Sequence, residues 1–101
     1  MNPAERLKVS EASLAAVCQR YSVRELAMFG SAARGEAGPG SDLDILVLFD
    51  EGARATLFTL IDLQAELSEL FGRPVDLVPK NGLKPALRGE VLAEAQVLYA
   101  A

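Results

Sequence analysis

The chain has 101 residues, half of them hydrophobic and 24% charged, which suits one modest core and leaves too little for a second, so residues 1–101 are expected to form a single domain. Fourteen acidic residues against ten basic ones give a net charge of −4 with no Lys/Arg run, which argues against direct nucleic-acid binding or attachment to an anionic membrane. Cys18 is the sole cysteine and there is no histidine, so an internal disulfide is excluded and a zinc site built by this chain alone is not expected.

The first residues, Met1-Asn2-Pro3-Ala4-Glu5-Arg6, lack the apolar core of a signal peptide, and no stretch approaches the length of a membrane span. A cytoplasmic location is therefore expected. Residues 4–20 read as a helix, with Leu7, Leu14, Val17, Cys18 and Tyr21 near one face. Cys18 on that face reads as a small buried hydrophobe. Val23 to Phe29 is a short strand that Gly30-Ser31 ends abruptly, and residues 32–36 suit a short helical turn. Gly35, Gly38, Pro39 and Gly40 then make a loop, and Ser41 suits a turn in which its hydroxyl satisfies backbone.

Leu43 to Phe49 is the clearest strand, apolar on both faces after its acidic start, as a covered central strand should be. An amphipathic helix is predicted over about 54–71, with Leu57, Leu60, Ile61, Leu67, Leu70 and Phe71 on its buried stripe. Any apolar strip left over from the core is available to a partner. Gly72 suits the C-terminal cap and Pro74 forbids extension. Val75 to Val78 is a third strand, a last helix is expected over about 83–95, and Val97-Leu98-Tyr99 suits an edge strand. The alternation predicts an α/β fold, a small mixed β-sheet flanked by helices.

The chemistry concentrates in Gly30-Ser31-Ala32-Ala33-Arg34-Gly35 and in Ser41-Asp42-Leu43-Asp44. Side chains alternate across a strand, so Asp42 and Asp44 project from one face at its start, where two like charges repel unless a cation lies between them. Asp76 is a second charge out of place, in the short strand 75–78; it is either a third member of the cluster or an exposed edge acid. If its strand neighbours the first, three carboxylates converge. Three acids can hold two hard divalent ions roughly 3.5–4 Å apart, the arrangement used for in-line phosphoryl chemistry, and oxygen ligands favour Mg²⁺.

Gly30 directly after a strand lets backbone approach a ligand, and Ser31 adds a hydroxyl and an N–H suited to phosphate. Arg34 either lies over the phosphates or braces the loop by pairing with an Asp. Lys80, Lys84 and Arg88 read as solvated charges rather than a positive patch beside the nucleotide.

Gly-Ser, an intervening Arg-Gly and then Ser-Asp-x-Asp resembles the signature of the DNA polymerase β-type nucleotidyltransferase superfamily. Within it the chain is most similar to the minimal nucleotidyltransferases, and the likeness covers nearly the whole sequence. The resemblance implies a polymerase β-like nucleotidyltransferase fold. It further implies that Gly30 and Ser31 hold the triphosphate of ATP, that Asp42 and Asp44 ligate two Mg²⁺ ions, and that Asp76 serves the catalytic ion and the attacking hydroxyl. It also implies a role as the antitoxin of a toxin–antitoxin pair, transferring AMP to a tyrosine of a HEPN-domain toxin. Two rival readings are transfer to another acceptor and a non-catalytic antitoxin that acts by binding alone.

Overall fold

The computed structural model describes residues 7–36, 38 and 40–101. The first helix, α1, spans Glu11–Arg20, shorter than the expected 4–20, of which residues 4–6 lie outside the described residues, as does Pro39 of the expected loop. Ser10 sets its start by accepting a hydrogen bond from the Ser13 N–H at 3.3 Å, while Lys8 takes a left-handed φ of 60° that a helix cannot contain. Leu14, Val17 and Cys18 are buried along it, with Leu7 and Tyr21 half-buried against the same core. Burial pushes the Cys18 thiol up to about 12, so it is an inert hydrophobe there.

Strand β1 follows at Val23–Phe29, then the single turn α2 at Gly30–Ala33, then β2 at Leu43–Phe49. The helical turn thus begins two residues earlier than the expected 32–36. Gly30 takes a left-handed φ of 71°, so the chain turns as soon as the strand ends. Helix α3 covers Leu57–Phe71, β3 Val75–Pro79, a 3₁₀ turn Lys80–Gly82, α4 Pro85–Glu94 and β4 Gln96–Ala100.

The sheet order is β3-β2-β1-β4. β1 is antiparallel to both β2 and β4, and β2 is parallel to β3, so the sheet is mixed. A parallel pair cannot be joined by a tight turn, and α3 makes the crossover. Central β2 is covered on both faces: Leu43, Ile45, Leu46 and Val47 are each at most 2% exposed. Its position makes its first residues the natural anchor for a site.

The buried stripe of α3 differs from the one expected. Thr56 caps the helix in a reciprocal box with Thr59, so the helix starts at Leu57 rather than near 54. Leu63, Leu67 and Phe71 are buried, with Leu60 and Leu70 half-buried, whereas Leu57 and Ile61 are 69% and 52% exposed. Ile61 lies six residues before Leu67, about 120° around the helix, and so faces away from the sheet. Phe58 joins these two in an exposed apolar strip. Gly72 ends the helix with a left-handed φ of 67°, as its position after the stripe predicts.

Helix α4 has no buried residue and rests on β1 and α2. No helix among the described residues is long and apolar enough to cross a membrane.

Candidate active site

Parallel pairing of β2 with β3 sets Asp44 directly opposite Asp76. Neighbouring strands run about 4.8 Å apart, so two carboxylates in register on one face are forced to be neighbours. Asp42 precedes β2, two residues before Asp44, and its charge acts on the Asp44 carboxyl. On its other edge Asp44 pairs with Phe29, the last residue of β1, which brings Gly30 against it. The three acids and the Gly30 turn, read separately along 47 positions of sequence, meet at one end of the sheet.

Electrostatics agrees with that convergence. The Asp44 carboxyl is held above the usual range, first by burial, then by the charges of Asp76 and Asp42, with Arg34 opposing. Asp44 is half-buried while Asp42 and Asp76 are exposed. Among the described residues no three His, Cys, Asp or Glu side chains are gathered closely enough to hold an ion as they stand.

Gly30 is fitted to Asp44. A β-carbon there would stand 2.4 Å from Asp44 Oδ2. The Ser31 carbonyl accepts from Glu36 N–H at 2.9 Å, which curls the chain after α2. With one turn only, α2 offers a few free N–H groups at its start rather than the field of a long helix.

Arg34 braces in this structure, with glutamates rather than an Asp. Its Nε donates to Glu36 at 2.9 Å and its Nη1 to both oxygens of Glu94 at 3.1 and 3.2 Å. Glu94 Oε1 also accepts the Gly30 N–H at 3.0 Å, so one carboxylate at the end of α4 holds two donors read as phosphate contacts. Gln96 adds a bond from Nε2 to the Ala33 carbonyl at 2.7 Å. The α2 turn is thus tied down from the C-terminal segment.

Ser41 behaves as expected, its hydroxyl accepting from Gly38 N–H at 3.1 Å. Lys80 pairs with Glu25 at 3.0 Å, and Lys84 and Arg88 are exposed, so no positive patch forms from them.

A strand-end glycine packed on a carboxylate that has two further acids beside it is compatible with phosphoryl transfer, and comparison with known proteins decides the lineage. The family described as a nucleotidyltransferase domain matches residues 11–98. The chain belongs to that family. This nucleotidyltransferase is 46% identical over 76 residues to the protein adenylyltransferase MntA of Thermococcus cleftensis, covering 75% of each chain. It is 42% identical to a solved structure named as a candidate minimal nucleotidyltransferase, with a TM-score of 0.74 and 94% of each chain covered. A complex of a tri-AMPylated Shewanella oneidensis HEPN toxin with an MNT antitoxin shares the fold at 19% identity and a TM-score of 0.64, over 90% of this chain and 70% of that one. The sheet and its helices are the polymerase β-like nucleotidyltransferase fold.

Two residues around the site of this nucleotidyltransferase escape a reading of the sequence. Glu94 sits 64 positions from Gly30 in a helix with no periodic signal, and Arg73 touches the acid-bearing loop 32 positions away. The only local hint of Arg73 is its place between Gly72 and Pro74, where a chain reversal is due.

Proposed function

We propose that this nucleotidyltransferase transfers AMP from ATP to a hydroxyl of a protein partner, a tyrosine of a HEPN-domain toxin, and thereby acts as a cytoplasmic antitoxin. The observation that carries the reading is the register of Asp44 with Asp76, with Asp42 two residues before and Gly30 against Asp44. The names of the relatives support the AMP donor and the toxin partner. The exposed strip of Leu57, Phe58 and Ile61 agrees with a chain that works against another protein. Residues 1–101 act as one catalytic domain in this account.

The donor set suits a pair of hard divalent ions. All three candidate ligands are carboxylates, and the Asp44 carboxyl, raised first by burial and then by the charges of Asp76 and Asp42, is one whose ionised form a cation would favour. Asp42 and Asp44 would hold both Mg²⁺ ions, and Asp76 the one beside the acceptor. Bound there, the ions supply charge neutralisation for the triphosphate and acidify the acceptor hydroxyl.

The chain's own residues do the rest. Ser31 and the N–H groups opening α2 bind triphosphate oxygens, with Gly30 keeping that approach clear of a side chain. Arg34 reaches the same oxygens once its glutamate partners release it. Asp76 orients the acceptor hydroxyl and receives its proton. The acceptor oxygen bonds to the α-phosphorus, the bond from that phosphorus to the bridging oxygen breaks, and pyrophosphate departs.

The test is mass spectrometry of a co-expressed HEPN-domain partner after incubation with ATP and Mg²⁺. AMP on a partner tyrosine is the expected result. Binding without any modification would favour an antitoxin that acts by occupancy alone.

A further inference from the structure

Asp42 is exposed, and the loop that delivers it contains Gly35, Gly38 and Gly40, a composition that costs much entropy to order. Yet it is clamped on both sides. The Ser41 carbonyl accepts from Arg73 Nε at 3.0 Å and from Nη2 at 2.8 Å, and Nη2 also reaches the Gly38 carbonyl at 3.0 Å. On the other side the Leu43 N–H donates to the Pro74 carbonyl at 2.9 Å. Every hydrogen bond of Arg73 among the described residues goes to a backbone carbonyl, and no carboxylate pairs with it. The left-handed Gly72 turns the chain so that this side chain faces the loop. The same connector then runs into β3, which presents Asp76 three residues after Arg73.

We infer that Arg73 is a positioning residue for the acid cluster: by gripping the Ser41 and Gly38 carbonyls it presets Asp42 relative to Asp44 and Asp76. The inference rests on the function proposed above. A planar fork that makes two bonds to one carbonyl and a third to another fixes direction, which a lysine ammonium cannot reproduce although it keeps the charge. Groups bonded directly to a metal ligand commonly govern metal affinity by about 10–100-fold without touching the ion, and Arg73 acts one residue removed, through the Ser41 carbonyl.

The experiment compares wild type, Arg73→Lys, Arg73→Met and Asp42→Asn. It reads Mn²⁺ binding by electron paramagnetic resonance in the presence of α,β-methylene ATP, single-turnover transfer to the partner, and a thermal melt. Both Arg73 variants should need about 10–100-fold more Mn²⁺ for half-occupancy. Arg73→Lys should remain folded, and saturating metal should restore most of its transfer. A role confined to loop bracing would instead lower the melting temperature and leave Mn²⁺ affinity unchanged, and that result overturns the inference. Loss of the folded state in both Arg73 variants overturns it too. If Asp42→Asn binds Mn²⁺ like wild type, the acid site itself is misread. If only Asp42→Asn loses Mn²⁺, the site stands and the role given to Arg73 falls.

Discussion

Gly30 and Asp44 stand so close that a β-carbon on Gly30 would lie 2.4 Å from Asp44 Oδ2, and Gly30 also holds a left-handed φ of 71°. Glycine is required there on two counts, one conformational and one steric. Gly30→Ala should cost about 1–3 kcal/mol of stability from backbone strain. The Asp44 carboxylate can swing aside to make room, so the larger effect should be on function. AMP transfer should fall by about 10² or more, the scale seen when one preorganised hydrogen-bond donor is removed from an active site. Thermal melts beside single-turnover transfer check both parts, and a fully active variant would show that the close packing of Gly30 on Asp44 is not needed for transfer.

Ser31→Ala should leave the fold intact, because the side chain makes no hydrogen bond among the described residues and sits at a turn. Nucleotide affinity should weaken by up to about tenfold, the worth of one hydrogen bond of roughly 0.5–1.5 kcal/mol. Titration calorimetry with Mg²⁺–ATP measures it. An unfolded variant would mark Ser31 as structural.

Asp44 carries a charge that burial and two neighbouring acids disfavour. Asp44→Asn removes that charge and keeps the shape, so in chelator at neutral pH the variant should melt above wild type. Adding Mg²⁺–ATP should reverse the order, raising the melting temperature of wild type alone. Melting curves with and without Mg²⁺–ATP test this. A destabilised variant in chelator would mean that the three acids do not strain one another.

Glu94 is held below the ordinary glutamate value of 4.5, first by the Gly30 N–H and then by Arg34. A depressed folded value means that the charged form stabilises the fold: the contribution is complete above pH 4.5 and is lost as pH falls through the lower folded value. Wild type should therefore lose stability over that acid window, and Glu94→Gln should show a shallower loss. Melting temperature against pH is the check, and identical profiles would mean that the Glu94 contacts are lost in solution.

Much of this arrangement is legible in the residues because it is local. The spacing of Asp42 and Asp44, the apolar run of β2 and the punctuation by Gly30 and Gly72 each follow from period and turn chemistry over a few residues. The convergence of Asp76 is legible only as a condition, since a strand's neighbour is a tertiary fact. The errors have physical causes as well. The buried stripe of α3 departs from the expected one because Leu57 and Ile61 are apolar without being inward, and periodicity alone cannot choose between adjoining apolar faces. Ser10 and Lys8 end α1 by capping and backbone conformation, which an apolar count along 4–20 does not register. Glu94 and Arg73 act across 64 and 32 positions, where no local pattern records which donor a carboxylate meets.

The central claim is that Asp42, Asp44 and Asp76 form one site with divided labour, and Asp76→Asn set beside Asp42→Asn tests it most directly. Asp76→Asn should bind Mg²⁺–ATP within a few-fold of wild type, roughly 1 kcal/mol or less, because two acids remain to hold the complex. Its single-turnover transfer of AMP to the partner should fall by about 10² or more, since the group that takes the acceptor proton is gone. Asp42→Asn should lose binding and transfer together. Transfer at the wild-type rate by Asp76→Asn would contradict the account and move the third acid elsewhere. Glu36, already bound to Arg34 beside the site, would then be the nearer candidate than Asp50, which follows the opposite end of β2.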